Sequence, residues 1–114
     1  MTDLSTLTDT ELTERIAIAL GLKRDEGGLW ERPDLPNFFG TIPAFTDSID
    51  ALKAGPEKLL REVGWKIAVC ELPDGRFEAM WEWNFDDSKR VIAIAPTEAR
   101  ARAEAVCQGL EVSK

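Results

Sequence analysis

The chain has 114 residues, 44% apolar and 31% charged, which suits one globular domain spanning 1–114 that needs no staples. Its 21 acidic against 14 basic residues leave a net charge of −7, which argues against a surface that tracks nucleic-acid phosphates. There is no histidine and only two cysteines, which excludes Ser-His-Asp and Cys-His catalysis and leaves too few soft ligands for structural zinc.

No apolar run approaches the ~20 residues of a membrane span. The opening "MTDLSTLTDTELTER" is acidic and polar, unlike a secretory leader. The first predicted element is a helix from Thr8 to Leu20. Thr8 and Glu11 form a capping box, Leu12, Ile16, Ala19 and Leu20 recur at helical spacing, and Gly21 supplies a left-handed stop.

The segment from Leu22 to Phe45 follows. Asp25-Glu26-Gly27-Gly28 signals a turn, and Leu29-Trp30-Glu31-Arg32 before Pro33 suits a short edge strand. The remainder, with Pro33, Pro36 and Pro43 among Phe38, Phe39 and Phe45, predicts an irregular loop. A long loop is where function commonly sits, so Trp30, Phe38, Phe39 and Phe45 are the candidate binding residues. Thr46-Asp47-Ser48 caps a helix bearing Ile49 and Leu52. Gly55-Pro56 interrupts it before Leu59, Leu60 and Val63, so two short helices or one kinked helix fit equally, and Gly64 ends the segment.

After Gly64 the period becomes two. Trp65, Ile67 and Val69 alternate with Lys66, Ala68 and Cys70. Beyond Pro73-Asp74-Gly75, residues Phe77, Ala79, Trp81, Trp83 and Phe85 alternate with Glu78, Met80, Glu82 and Asn84. A three-residue turn with Gly75 left-handed places Leu72 across from Arg76. Ile67 then meets Trp81, Trp65 meets Trp83, Val69 meets Ala79, and Lys66 lies across from Glu82. Asp86-Asp87-Ser88 reads as a turn. Arg90 to Ala95 ("VIAIA") is apolar on both sides and predicts a central or doubly covered strand. Thr97 caps a last helix whose stripe is Ala99, Ala103, Val106, Cys107 and Leu110, with Arg100 and Arg102 off it.

Glycine-rich phosphate loops are absent from the sequence. Glu78 and Glu82, at i and i+4 of a strand, stand roughly 13 Å apart, beyond the reach of a glycosidase pair. The aromatic strand suggests a base-stacking platform, yet its neighbours are acids and its register faces apolar residues, so core burial is the better reading. Cys70 and Cys107 read as small, reduced hydrophobes, although sequence alone allows a disulfide.

The stretches "ALGL", "DEGGLWERP", "FTDSIDAL", "GWKIAVCELPDGRFEAMWEW" and "AIAPTEARARAEAVCQGL" together cover most of the chain. In this order they resemble the phage ABA-sandwich domain family. The resemblance implies two helical layers around a sheet, with Ala68, Cys70 and Met80 under a helix. It also implies a phage or prophage origin and the bacterial cytoplasm as working place.

The expected fold is therefore α/β of the α+β type, a helix–sheet–helix sandwich around a small antiparallel sheet of three to four strands. The expected function is that of a non-enzymatic accessory protein, without cofactor or metal, that binds a host or phage protein and leaves room for homo-oligomers. A small-molecule or nucleotide binder with a pocket between the proline-rich loop and the sheet, and an acidic nucleic-acid mimic, are the alternatives. Direct nucleic-acid or membrane binding is not expected.

Overall fold

The computed structural model describes residues 4–24, 30–32, 35–40, 45–83 and 90–112. After a 3-10 turn at Leu4–Thr6 comes α1 (Asp9–Ala19). Its capping box is present in both directions: Glu11 N–H donates to Thr8 Oγ1 at 3.1 Å, and Thr8 N–H donates to the Glu11 carboxylate at 3.1 Å. The helix ends at Gly21, with φ of 88°, where the Leu22 N–H returns to the Ala17 carbonyl at 3.0 Å.

Three short strands follow, β1 (Lys23–Arg24), β2 (Trp30–Arg32) and β3 (Leu35–Gly40), as an antiparallel sheet in the order β1-β2-β3. This corrects two expectations. Trp30-Glu31-Arg32 is the middle strand rather than an edge, and the expected irregular loop contains a strand. Pro36 sits inside β3, where an outer strand tolerates a missing N–H. Trp30 lies across from Gly40 and Glu31 from Phe39, with a register shift before Arg32.

Gly55-Pro56 separates α2 (Ile49–Ala54) from α3 (Pro56–Glu62), which settles the choice in favour of two helices. Ser48 caps α2 by accepting from the Ala51 N–H at 3.2 Å, and Pro56 takes the first turn of α3. A second sheet then forms from β4 (Trp65–Glu71), β5 (Phe77–Trp83) and β6 (Arg90–Ala95), antiparallel in that order. The hairpin register agrees with the sequence reading at every pair stated there: Trp65 with Trp83, Lys66 with Glu82, Ile67 with Trp81, Val69 with Ala79. Leu72 N–H donates to the Arg76 carbonyl at 2.7 Å, and Gly75 has φ of 89°. The expected extension of this strand to Phe85 and the turn at 86–88 lie outside the described residues.

The last helix, α4 (Glu98–Val112), runs across the inner face of the β4-β5-β6 sheet and also packs against α1, α2 and α3. It is therefore buried nearly all round, from Ala101 through Leu110, rather than along one stripe. Its small residues meet the small residues of the sheet, Ala79, Ala93 and Ala95, so that the helix lies close above the strands. Trp81, fully buried, and Trp65 are the large side chains of this core, and Trp65 meets Trp83 edge-on with ring centres 5.4 Å apart.

The molecule is thus of mixed α/β class with an antiparallel three-stranded sheet, the class and sheet type expected. Two finer expectations change. Among the described residues β6 pairs with β5 at the border of the sheet and alternates buried Val91, Ala93 and Ala95 with exposed Arg90, Ile92 and Ile94, so there it is neither central nor doubly covered. Among the described residues no helix covers Ala68 and Cys70, which are exposed, or Met80, which is half-buried. The described helices gather around α4, on the other side of the strands.

Candidate functional site

The alternation of β4, β5 and β6 places three rows of three side chains on the outer face. Lys66, Glu82 and Arg90 form the first row. Ala68, Met80 and Ile92 form the second, and Cys70, Glu78 and Ile94 the third. Ile92 is 45% exposed and Ile94 40%. Glu82 accepts from the Arg90 guanidinium at 3.4 Å, so β6 supplies the cation that answers it in this row. The face has an apolar waist between a row of net positive charge and a row of net negative charge. Beyond the Glu82–Arg90 pair, what the described residues of this face offer chemically is contact area with charges at two ends.

The second constellation lies inside. Glu57, in the first turn of α3, is fully buried; its Oε1 accepts from Arg102 of α4 at 2.9 Å, and Arg102 also donates to Glu98 at 3.1 Å. Glu57 Oε2 has no partner among the described residues. Burial pushes the Glu57 carboxyl above the usual carboxylate range, against the opposing pull of Arg102, Arg61 and Lys53. Because no part of Glu57 is exposed, the group braces α3 to α4 and is closed to any substrate.

Two residues earlier on α4, Arg100 donates to Glu104 at 2.8 Å, to Asp9 at 2.7 Å, and to the carbonyls of Leu4 at 3.0 Å and Leu7 at 2.7 Å. Burial works against its charge, but the bonds to Glu104 and Asp9 outweigh it and hold the guanidinium pKa above its ordinary value. Arg15 of α1 binds Glu111 of α4 through both guanidinium and carboxylate forks, at 2.5 and 3.0 Å. These pairs fasten the N-terminal segment and α1 to α4. The sequence placed Arg100 and Arg102 off the apolar stripe and went no further. The signal for their role was the i, i+4 spacing of Glu98 with Arg102 and of Arg100 with Glu104.

Two open grooves, each about 370 Å³, flank this assembly. One runs between Leu20, Leu22 and the α2–α3 corner at Gly55 and Leu59. The other lies beside Asp9, Asp47, Thr97 and Arg100, where the cation is already spent on protein partners. A pocket between the proline-rich segment and the sheet, expected for a ligand binder, falls outside the described residues.

Of the candidate binding residues, Phe45 is 3% exposed and belongs to the core, so it offers no docking surface. Trp30, Phe38 and Phe39 lie on β2 and β3, and their side chains are outside what is described. Cys70 is exposed on the outer face while Cys107 is buried in α4 with its thiol 3.7 Å from Glu111 Oε1, and the two are not joined in a disulfide. Among the described residues no helix is long and apolar enough to cross a membrane.

Fold and site together define a small mixed α/β protein with a helix-backed antiparallel sheet and an apolar, charge-rimmed outer face. Its fold is that of a solved phage protein from Bacillus cereus ATCC 14579, with a TM-score of 0.65 over 97% of this chain and 94% of that one. The two sequences are 14% identical, so the likeness is one of fold. No family model and no curated protein matches the chain.

Proposed function

We propose that this chain is a non-enzymatic accessory protein of phage or prophage type that works in the bacterial cytoplasm by binding protein, with a host or phage protein as its target. The observation that carries this reading is the outer face, where Ile92 and Ile94 stand 45% and 40% exposed around Met80. Contiguous exposed apolar surface rimmed by charge is the usual mark of a protein contact. The fold shared with a phage protein supports the setting. The buried acid and arginines support a non-catalytic role, since each is occupied in joining helices.

A photo-crosslinking residue at position 92, compared with one at Ile18, which is 61% exposed on α1, tests the reading in an infected bacterial host. The expected result is a crosslink from position 92 to a protein other than this chain, absent from position 18. Equal or no crosslinking from the two positions overturns it.

A further inference from the structure

We propose that α3 is a proton-linked latch, closed on α4 while Glu57 is neutral and opening locally about Gly55 and Gly64 when Glu57 ionises. The helix has seven residues; Gly55 precedes it, and Gly64, just past its end, has φ of 109°. Among the described residues no side chain caps its first turn. A helix this short holds its shape through packing rather than on its own. Its outward side carries Lys58, Leu59, Arg61, Glu62 and Val63, all exposed, and its buried residues are Pro56, Glu57 and Leu60. Leu60 lies so close to α4 that a Cβ on Gly109 would stand 2.7 Å from its Cδ1. Of these three anchors, Glu57 is the one whose hold depends on a proton.

The charges that face Glu57 come from three elements. α4 supplies Arg102 at 2.9 Å, shared with Glu98 at 3.1 Å, α2 supplies Lys53, and α3 itself supplies Arg61. β4, which also packs on α3, turns Trp65, Ile67 and Val69 inward, none of them titratable. Lys53 and Arg61 are exposed, so water screens their pull. Arg102 divides its guanidinium between two carboxylates and reaches Oε1 of Glu57, while Oε2 has no partner among the described residues. An ionised oxygen shut away from both water and donors is costlier than a neutral one. Opening brings Glu57 to water, where the ordinary value of 4.5 returns, so opening releases a proton. Below 4.5 both states hold that proton, and above the raised value neither does; between the two, rising pH favours the open state. The opened latch uncovers Leu60 and the stretch of α4 at Gly109. It also moves Gly55, Lys58 and Leu59, which form one wall of the groove beside Leu20 and Leu22. The shape of that groove is thereby tied to pH. The latch lies on the far side of the sheet from Ile92 and does not depend on what the outer face binds.

Native-state hydrogen exchange on the whole chain, followed by NMR from about pH 5 to about pH 8, tests this. The informative amides are those of Leu59 and Val63, which donate to the carbonyls of Gly55 and Leu60 at the two ends of α3. Corrected for the intrinsic pH dependence of exchange, their opening constant should exceed that of the α4 amides. It should rise with pH by up to about tenfold per unit and then level off. Glu57→Gln, a neutral side chain of nearly the same shape, should abolish the rise and keep α3 closed.

α3 amides that exchange only together with those of α4, at one common opening constant, would make α3 part of the global fold and overturn the latch. An α3 opening constant that is flat across the range, or a rise that Glu57→Gln retains, overturns it as well. The wild-type comparison of α3 with α4 decides by itself if the variant fails to fold.

Discussion

The two faces of the β4-β5-β6 sheet come from the same strands with the same alternation, and they meet opposite surroundings. On the inner face Trp81 is fully buried, and Ala79, Ala93 and Ala95 lie under the alanines of α4. On the outer face Ile92 and Ile94, bulkier than the alanines behind them, remain 40–45% exposed. Hydrophobicity does not separate the two faces. What separates them is the supply of apolar helix surface: α4 is enclosed by the sheet, α1, α2 and α3, which spends the buried faces of the described helices on one side. Free energy from apolar burial, roughly 25 cal/mol per Å², is collected on the inner face and forgone on the outer one until another molecule covers it.

The contrast is broken most severely at its centre. Trp81→Ala empties the largest fully buried side chain and is expected to cost about 3–5 kcal/mol, read from urea unfolding. A loss under 1 kcal/mol would mean that the inner face is not the core. Gly109→Ala probes the closeness of α4 to its neighbours. A Cβ there would stand 2.7 Å from Leu60 Cδ1, so Leu60 has to move, and about 1–3 kcal/mol should be lost by the same measurement.

Glu57 sharpens the comparison by asking how the enclosed side treats charge. Its folded-state pKa is raised, so the folded protein holds this proton more tightly than the unfolded chain. The stability it contributes is full below the ordinary carboxylate value of 4.5 and falls as pH rises through the raised value. Glu57→Gln should remove that slope, giving a flatter plot of Tm against pH above 4.5. An unchanged slope would assign it to other groups. The smallest effect belongs to the outer face: Ile92→Thr should change the stability of the dilute monomer by no more than about 0.5 kcal/mol.

The hairpin was legible because Pro73-Asp74-Gly75 dictates a turn and one register alone puts Trp65, Ile67 and Val69 against Trp83, Trp81 and Ala79. Caps at Thr8, Ser48 and Thr97 were legible for a similar reason, since each places a hydroxyl where a helix start leaves N–H groups unpaired. β3 escaped because "LPNFFG" has no alternation and carries a proline, and its pairing with β2 is a non-local fact. The outer face escaped because the apolar pattern of "VIAIA" says that both sides of β6 are greasy without saying which side a helix reaches. The ion pairs of Arg100 and Arg102 escaped in part, because Asp9 and Glu57 come from distant points of the chain.

The ties of α4 also set an order of events. Arg100 holds the carbonyls of Leu4 and Leu7, Arg15 holds Glu111, and Glu57 waits for Arg102. α1, α3 and the β4–β5 hairpin are all synthesised before the helix that joins them. Until α4 emerges, the inner face with Trp65 and Trp81 lacks the helix that covers most of it, and α1, with Leu12 and Ile16, lacks its main partner among the described elements. Closure over so long a stretch of chain slows folding. The growing chain therefore carries two greasy sheet faces where the finished one carries a single face, and it depends on its last helix, or on a chaperone, to keep the first of them from meeting other nascent chains.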